Sequence, residues 1–340
     1  MINWVYDFTL FLTEAVIIVI AILAIVGGMV SMTSKGSRHK NREHLDIHDL
    51  NKEYQQMALE MQSSFLPAKE LKSIHKMHKK QLKLKRKSTS NKHLFVLDFK
   101  GDLRANRVAN LRREVDAVLL AAQDGDEVLL RLESPGGVVH GYGLAASQLQ
   151  RFREQEIHLT VAVDKVAASG GYLMACVADQ IIAAPFAIVG SIGVVAQLPN
   201  FNRLLKSHNI DYEQFTAGEY KRTITLFGEN TDKARNKMHE ELQQTHDLFK
   251  DYITRCRPVV NIDQVATGEH WFASHAIEFN LVDKLQTSDS FLLEQRQKKD
   301  MIGVQYTIKP PLQERLGMLG QSLLERLQGS SDEALQSRLP

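Results

Sequence analysis

The chain has 340 residues, with 42 Lys and Arg against 40 Asp and Glu, for a net charge of +2 with histidine neutral. Apolar residues make up 44% and charged residues 24%, which excludes a disordered chain and leaves room for one large domain or two modest ones. Two cysteines exclude a disulfide framework and leave the compartment open.

A short segment, 1–7, is followed by residues 8–32, in which 15–32 carry no charge. About 20 apolar residues cross a hydrocarbon core, so 8–32 predicts one transmembrane helix. A cleaved signal peptide is disfavoured, because no basic residue precedes the run and no small-x-small cleavage site follows it. Asp7 and Glu14 stand before the uncharged run and Lys35, Arg38, Lys40 and Arg42 after it. By the positive-inside rule this places the bulk of the chain in the cytoplasm.

Residues 33–91 read as a basic helical connector. Within it, 43–62 has helical spacing at Leu50, Tyr54, Met57 and Met61 and should end before Pro67. From 69 to 87 basic residues dominate, with Glu70 the only acid. This run fits a solvated helix or linker, or a contact with the anionic headgroups of a bacterial membrane lipid. Nucleic acid is not expected as a partner, since the run lacks aromatic residues on which bases would stack. His44 and His48 with Asp46, and His75 with His78, lie at helical spacing but lack further placed ligands, so no metal is expected.

From residue 94 strands and helices alternate. The pattern predicts strand 94–99, helix 108–122, strand 127–133, helix 143–153, strand 158–163, a helix ending near 178 and strand 180–183. Such a succession implies right-handed crossovers and a parallel sheet, an α/β fold. The apolar stretch 181–198 is interrupted by Pro185, Gly190, Ser191 and Gly193, so it reads as sheet core with a turn at Ala184-Pro185 and not as a second membrane span. Residues 236–255 read as a long polar helix, an arm. The domain 92–290 gives way to a C-terminal region, 291–340. There Val304, Tyr306 and Ile308 alternate as in a strand, and Leu312, Leu316, Leu319, Leu323 and Leu327 form a helical stripe suited to packing or to a membrane surface.

Three short motifs carry chemistry. Ala168-Ser169-Gly170-Gly171-Tyr172 follows the strand 158–163 and opens an apolar helix, which sets a serine beside unpaired backbone N–H groups. Taken alone, Ser169 reads as a helix cap. Ser134-Pro135-Gly136-Gly137 follows the strand 127–133; it reads as an ordinary tight turn or as a source of N–H donors for an oxyanion. Thr216-Ala217-Gly218-Glu219-Tyr220-Lys221 offers a lysine, which becomes a general base only where desolvation leaves its amine partly neutral. Asp164 and Lys165 read as a solvated pair.

The order of these motifs, with Val189-Gly190-Ser191-Ile192-Gly193-Val194 between the second and third, resembles the signal peptide peptidase A family of serine-lysine proteases. The segments 265–271 and 276–285, the latter with a glycine-like Asn280, resemble the family's closing segment. The resemblance spans roughly 94–285. It implies Ser169 as nucleophile, Lys221 as general base, Ser191 as the residue that orients the lysine, and Gly137 with Gly170 as oxyanion donors. It also implies a crotonase-like, Clp-protease-like spiral of strand-strand-helix units, with no cofactor and no metal. Because this chain holds one copy of the motif set where long members hold two, the resemblance implies that Lys221 serves Ser169 of a neighbouring subunit in a ring-shaped homo-oligomer, such as an octamer. On topology it opposes the charge bias, because the family's catalytic domains are assigned to the extracytoplasmic side.

The function expected is therefore a membrane-anchored, ATP-independent serine endopeptidase acting on peptides such as remnant signal peptides or other membrane-associated segments. Two other readings stay open: a catalytically silent membrane scaffold of the same fold, and an acyl-CoA-processing crotonase-like enzyme. The last would require an acidic catalytic pair in place of serine and lysine.

Overall fold

The computed structural model describes residues 13, 16–20, 43–85 and 92–308, of which 45–306 form one compact unit. Residues 13 and 16–20 are helical. The rest of the expected membrane helix 8–32, the segment 1–7 and the leucine stripe 312–327 lie outside the described residues. Among the described residues no helix is long and apolar enough to cross a membrane.

The large sheet has seven strands: β1 (Glu43–Asp49), β2 (His93–Lys100), β3 (Glu127–Glu133), β4 (His158–Val163), β6 (Gln180–Ala183), β9 (Lys284–Leu285) and β10 (Asp300–Ile308). Their order across the sheet is β1-β10-β2-β3-β4-β6-β9. From β10 to β9 every pairing is parallel. A smaller sheet holds β5 (Val166–Ala168), β7 (Ile188–Gly190) and β8 (His270–Phe272), with β5 and β7 parallel and β7 and β8 antiparallel. A strand of the large sheet hands the chain to a strand of the small one, and β5 then leads into a helix.

Burial on both faces explains why these strands read as mostly apolar runs, with Asp98 of β2 and Arg131 of β3 paired to each other at 2.6 Å. In β2, Phe95, Leu97 and Phe99 join the main core, whereas Leu94 and Val96 join a second cluster on the opposite face. The helices Val108–Ala121 and Val139–Glu154 supply Leu111, Val115, Leu149 and Phe152 to the main core. Phe291 and Leu292 of the helix Ser288–Gln295 cover the second cluster, with Leu50 and Tyr54 packed against it from the helix Leu50–Ser63.

The connector departs from the reading as all helix: 43–49 is an edge strand, and the helix begins only at Leu50. Leu45 and Ile47 supply the period-two alternation of a strand, and the first of them packs on the main core. Asn51 ties the start of that helix to β10 and the chain before it, donating to Arg296 O at 2.8 Å and accepting from Met301 N at 2.5 Å. The compact unit is accordingly wider at both ends than 92–290. The long helix, Asp232–Cys256, is not wholly an arm either, because Phe249, Ile253 and Cys256 in its last turns are buried.

Candidate active site

Ser169 stands between β5 and the helix Gly170–Ala175, with φ +53° and ψ −118°. A residue with a Cβ pays about 1–3 kcal/mol for such a conformation and keeps it only where surrounding bonds impose it. Here its N–H donates to Gly190 O at 2.8 Å and its carbonyl accepts from Leu173 N at 2.9 Å. A capping serine needs extended backbone angles, and Ser169 does not have them. Its hydroxyl caps nothing, which removes the cap reading and leaves the oxygen half-buried and free to react.

The turn after β3 is held against this serine. Ser134 N donates to Val166 O at 2.8 Å and Ala168 N to Ser134 O at 3.0 Å, pairing the turn with β5. The Ser134 hydroxyl accepts from Gly136 N at 3.1 Å and donates to the Tyr142 hydroxyl at 2.7 Å, which in turn donates to Asp102 O at 2.8 Å. Tyr142 is fully buried, and burial pushes its phenol above the ordinary value, so it stays a proton donor. A buried chain in which each hydroxyl has both partners fixes the turn in one geometry.

Glycine is forced where this turn meets the serine. Gly136 has φ +86°, and a Cβ there would lie 2.7 Å from Ala168 O and 2.8 Å from the Ser169 Cβ. At Gly137 a Cβ would strike the Leu103 carbonyl, and at Gly170 the Tyr142 ring. Among the described residues neither Gly137 N–H nor Gly170 N–H has a hydrogen-bond acceptor. Two free donors beside a free hydroxyl are what a tetrahedral intermediate of acyl transfer requires.

Ser169, Gly137 and Gly170 line a cavity of about 250 Å³. Val139, Leu173, Val194, Leu248, Phe249 and Tyr252 form most of its wall, and among the described residues no charged side chain lines it. The hydroxyls of Ser147 and Thr245 turn back to their own helices, Ser147 donating to Gly143 O at 2.9 Å and Thr245 to Glu241 O at 2.8 Å. What remains is an apolar recess beside the nucleophile.

Ser191 follows β7 as Ser169 follows β5, and the register Ala168↔Gly190 sets the two serines at neighbouring strand ends. Ser191 also has a positive φ, +52°, held by a bond from its N–H to Glu269 O at 2.6 Å. Lys221 differs. It lies in the segment 209–231, which has no helix or strand, and its side chain is exposed and absent from the cavity wall. Its motif neighbours are engaged: Glu219 accepts from Lys233 at 2.5 Å, and the Lys237 ammonium stands 5.2 Å from the Tyr220 ring centroid. The structure thus gathers Ser169, Gly137, Gly170 and Ser191 and leaves Lys221 outside.

The sequence reading missed Tyr142 and the cavity wall. An aromatic four residues into the helix after a Pro-Gly-Gly turn was the available signal for Tyr142. Leu248, Phe249 and Tyr252 were hidden in a helix of polar composition. Asp164 is exposed, as read, and it also accepts from Ser288 N at 2.8 Å and from Ser288 Oγ at 2.5 Å, fixing the helix Ser288–Gln295. Lys165 pairs with Glu133 at 3.2 Å.

Comparison with known proteins places the chain among peptidases. Residues 3–149 match the N-terminal region of peptidase family S49, and residues 151–301 match peptidase family S49 itself. The chain is 47% identical over 324 residues to a probable protease SohB of Haemophilus influenzae, covering 91% of this chain and 90% of that protein. It is 52% identical over 272 residues to a probable protease SohB of Buchnera aphidicola subsp. Schlechtendalia chinensis, covering 76% and 89%. Among solved structures, the 1510-N membrane-bound stomatin-specific protease with a substrate peptide aligns at a TM-score of 0.41 and 13% identity, over 67% of this chain and 96% of that one.

Proposed function

The chain belongs to peptidase family S49, and on that premise we propose that it is a serine endopeptidase with a Ser-Lys dyad, anchored in a bacterial inner membrane by the helix 8–32. Ser169 is the nucleophile and Lys221 the general base. The neutral Lys221 amine takes the Ser169 proton as the oxygen attacks a peptide carbonyl, then returns it to the leaving nitrogen; water releases the acyl group. Gly137 and Gly170 N–H groups hold the oxyanion, and Ser191 orients the amine.

One observation carries this reading: a serine at a strained strand-helix junction with its hydroxyl uncommitted and two free N–H donors beside an apolar cavity. The cavity suits the apolar side chain of a membrane-derived or signal-peptide segment. Its lack of a carboxylate disfavours the acyl-CoA-processing alternative, which needs an acidic pair. The exposure of Lys221 supports a ring-shaped homo-oligomer of crotonase-like subunits, in which each lysine serves the serine of the next copy. A fluorophosphonate probe tests the reading directly. It should label the purified full chain at Ser169 with loss of peptide cleavage, and a chain that cleaves peptides but stays unlabelled, or is labelled elsewhere, would overturn it. Protease accessibility in intact spheroplasts decides between the cytoplasmic side favoured by the charges and the periplasmic side favoured by the family.

A further inference from the structure

The two cysteines of the chain lie far apart in sequence, yet the fold brings them together behind the cavity. Cys176 ends the helix Gly170–Ala175, one turn after the wall residue Leu173; Cys256 ends the long helix, one turn after the wall residue Tyr252. Arg153, reaching from the helix Val139–Glu154, joins the two ends. Its Nη1 donates to Val177 O at 3.4 Å and to Cys256 O at 3.2 Å, so one nitrogen holds the backbone beside both cysteines. Both thiols are buried and unoxidised; Cys176 Sγ donates to Leu173 O at 3.2 Å and Cys256 Sγ to Gln150 Oε1 at 3.9 Å. The Tyr252 hydroxyl beside them is buried with no hydrogen-bond partner.

We propose that Cys176 and Cys256 are a redox modification site, forming a reversible disulfide that staples the long helix to the helix following Ser169 and so fixes the wall of the cavity. The two thiols have different roles. The neighbouring Cys176 thiol and the Arg255 and Arg153 charges hold Cys256 down to about 7, whereas burial pushes Cys176 well up. Cys256 is also the one a reagent can reach, being 9% exposed where Cys176 is 0%, so its thiolate attacks first, taking one sulfur of a small disulfide oxidant and expelling the other as a thiolate. Cys176 then loses its proton and attacks the Cys256 sulfur of the mixed disulfide, expelling the second thiol. Two protein thiols and one R–S–S–R become one protein disulfide and two R–SH. No other sulfur competes, since the chain has no third cysteine.

The test is independent of the peptidase reading, because it reads a mass and not a turnover. The full chain in detergent is equilibrated across ratios of oxidised to reduced glutathione, quenched with an alkylating agent, and analysed by intact mass and peptide mapping. The expected product is two hydrogen atoms lighter, links the peptides bearing Cys176 and Cys256, reverts with dithiothreitol, and shows slowed hydrogen exchange over 245–256. Cys176→Ala should accumulate one glutathione adduct on Cys256, the trapped intermediate, and Cys256→Ala should carry none. Two alkylatable thiols at every ratio, a product linked between chains, or an adduct on Cys176 in preference to Cys256 would overturn the proposal.

Discussion

Ser169 and Lys221 occupy opposite circumstances. The serine sits at a junction of two strands, a helix and a glycine turn, held by bonds to Gly190 and Leu173 and walled by apolar side chains. Lys221 sits on an exposed segment without regular structure, and only its neighbours Glu219 and Tyr220 are tethered, to Lys233 and Lys237. A nucleophile with its oxyanion donors needs positions good to a fraction of an ångström, which packing within one chain supplies. A general base needs desolvation, and an exposed lysine finds that only where another surface closes over it.

The sharpest way to break this contrast is to remove each group in turn. Ser169→Ala and Lys221→Ala should each lower kcat by about 10⁴-fold or more while leaving assembly intact, as loss of a nucleophile or of its activating base does. Mixing the two inactive variants before assembly should restore part of the cleavage, because some interfaces then pair an intact serine with an intact lysine. Neither variant assembled alone can do so. No recovery in verified mixed assemblies would mean that Lys221 folds onto the serine of its own chain. Ser191→Ala should cost less than either.

On the buried side of the contrast, Phe249→Ala should be the costliest change to stability. Phe249 is 9% exposed, lines the cavity and belongs to the main core, so its loss should destabilise by about 3–5 kcal/mol, read as a fall in urea midpoint. Tyr142→Phe comes next. It removes one hydroxyl from a buried chain, leaving Ser134 Oγ without its acceptor and Asp102 O without its donor, at about 1–3 kcal/mol. Because that chain sets the Gly136-Gly137 turn, kcat should fall more than KM rises; the reverse split would show that the turn holds without it.

The same contrast governs what the sequence made legible. Strands 127–133 and 158–163 were readable to the residue, because burial on both faces leaves a mostly apolar run, broken only by Arg131 and Thr160 within, bounded by turn residues. The junction at Ser169 was readable as a motif but not as a conformation: nothing in Ser-Gly-Gly separates a cap from a strained serine until Gly190 and the turn at 134–137 are packed around it. The strand 43–49 was mistaken for helix because Leu50, Tyr54, Met57 and Met61 carry a helical period that begins only after it. The bonds of Asp164 to Ser288 and the wall residues Leu248, Phe249 and Tyr252 were hidden because the partners are distant in sequence, and polar composition dominates the long helix that carries the three wall residues.

The smallest expected effect probes the exposed side. Thr231 caps the long helix, its hydroxyl accepting from Ala234 N at 3.2 Å, and Lys233 in the first turn holds Glu219. Thr231→Ala should cost about 1 kcal/mol and act locally, since the exposed Lys233–Glu219 pair contributes little of its own. Hydrogen exchange over 219–235 should quicken while the unfolding of the main core stays put. What happens to the rate then distinguishes two origins for the position of Lys221. If its own chain sets that position through the start of the long helix, kcat should fall in proportion to the fraying. If a neighbouring copy sets it, assembly reorders the segment and kcat stays unchanged, with the cost appearing instead as weaker association between copies on sedimentation.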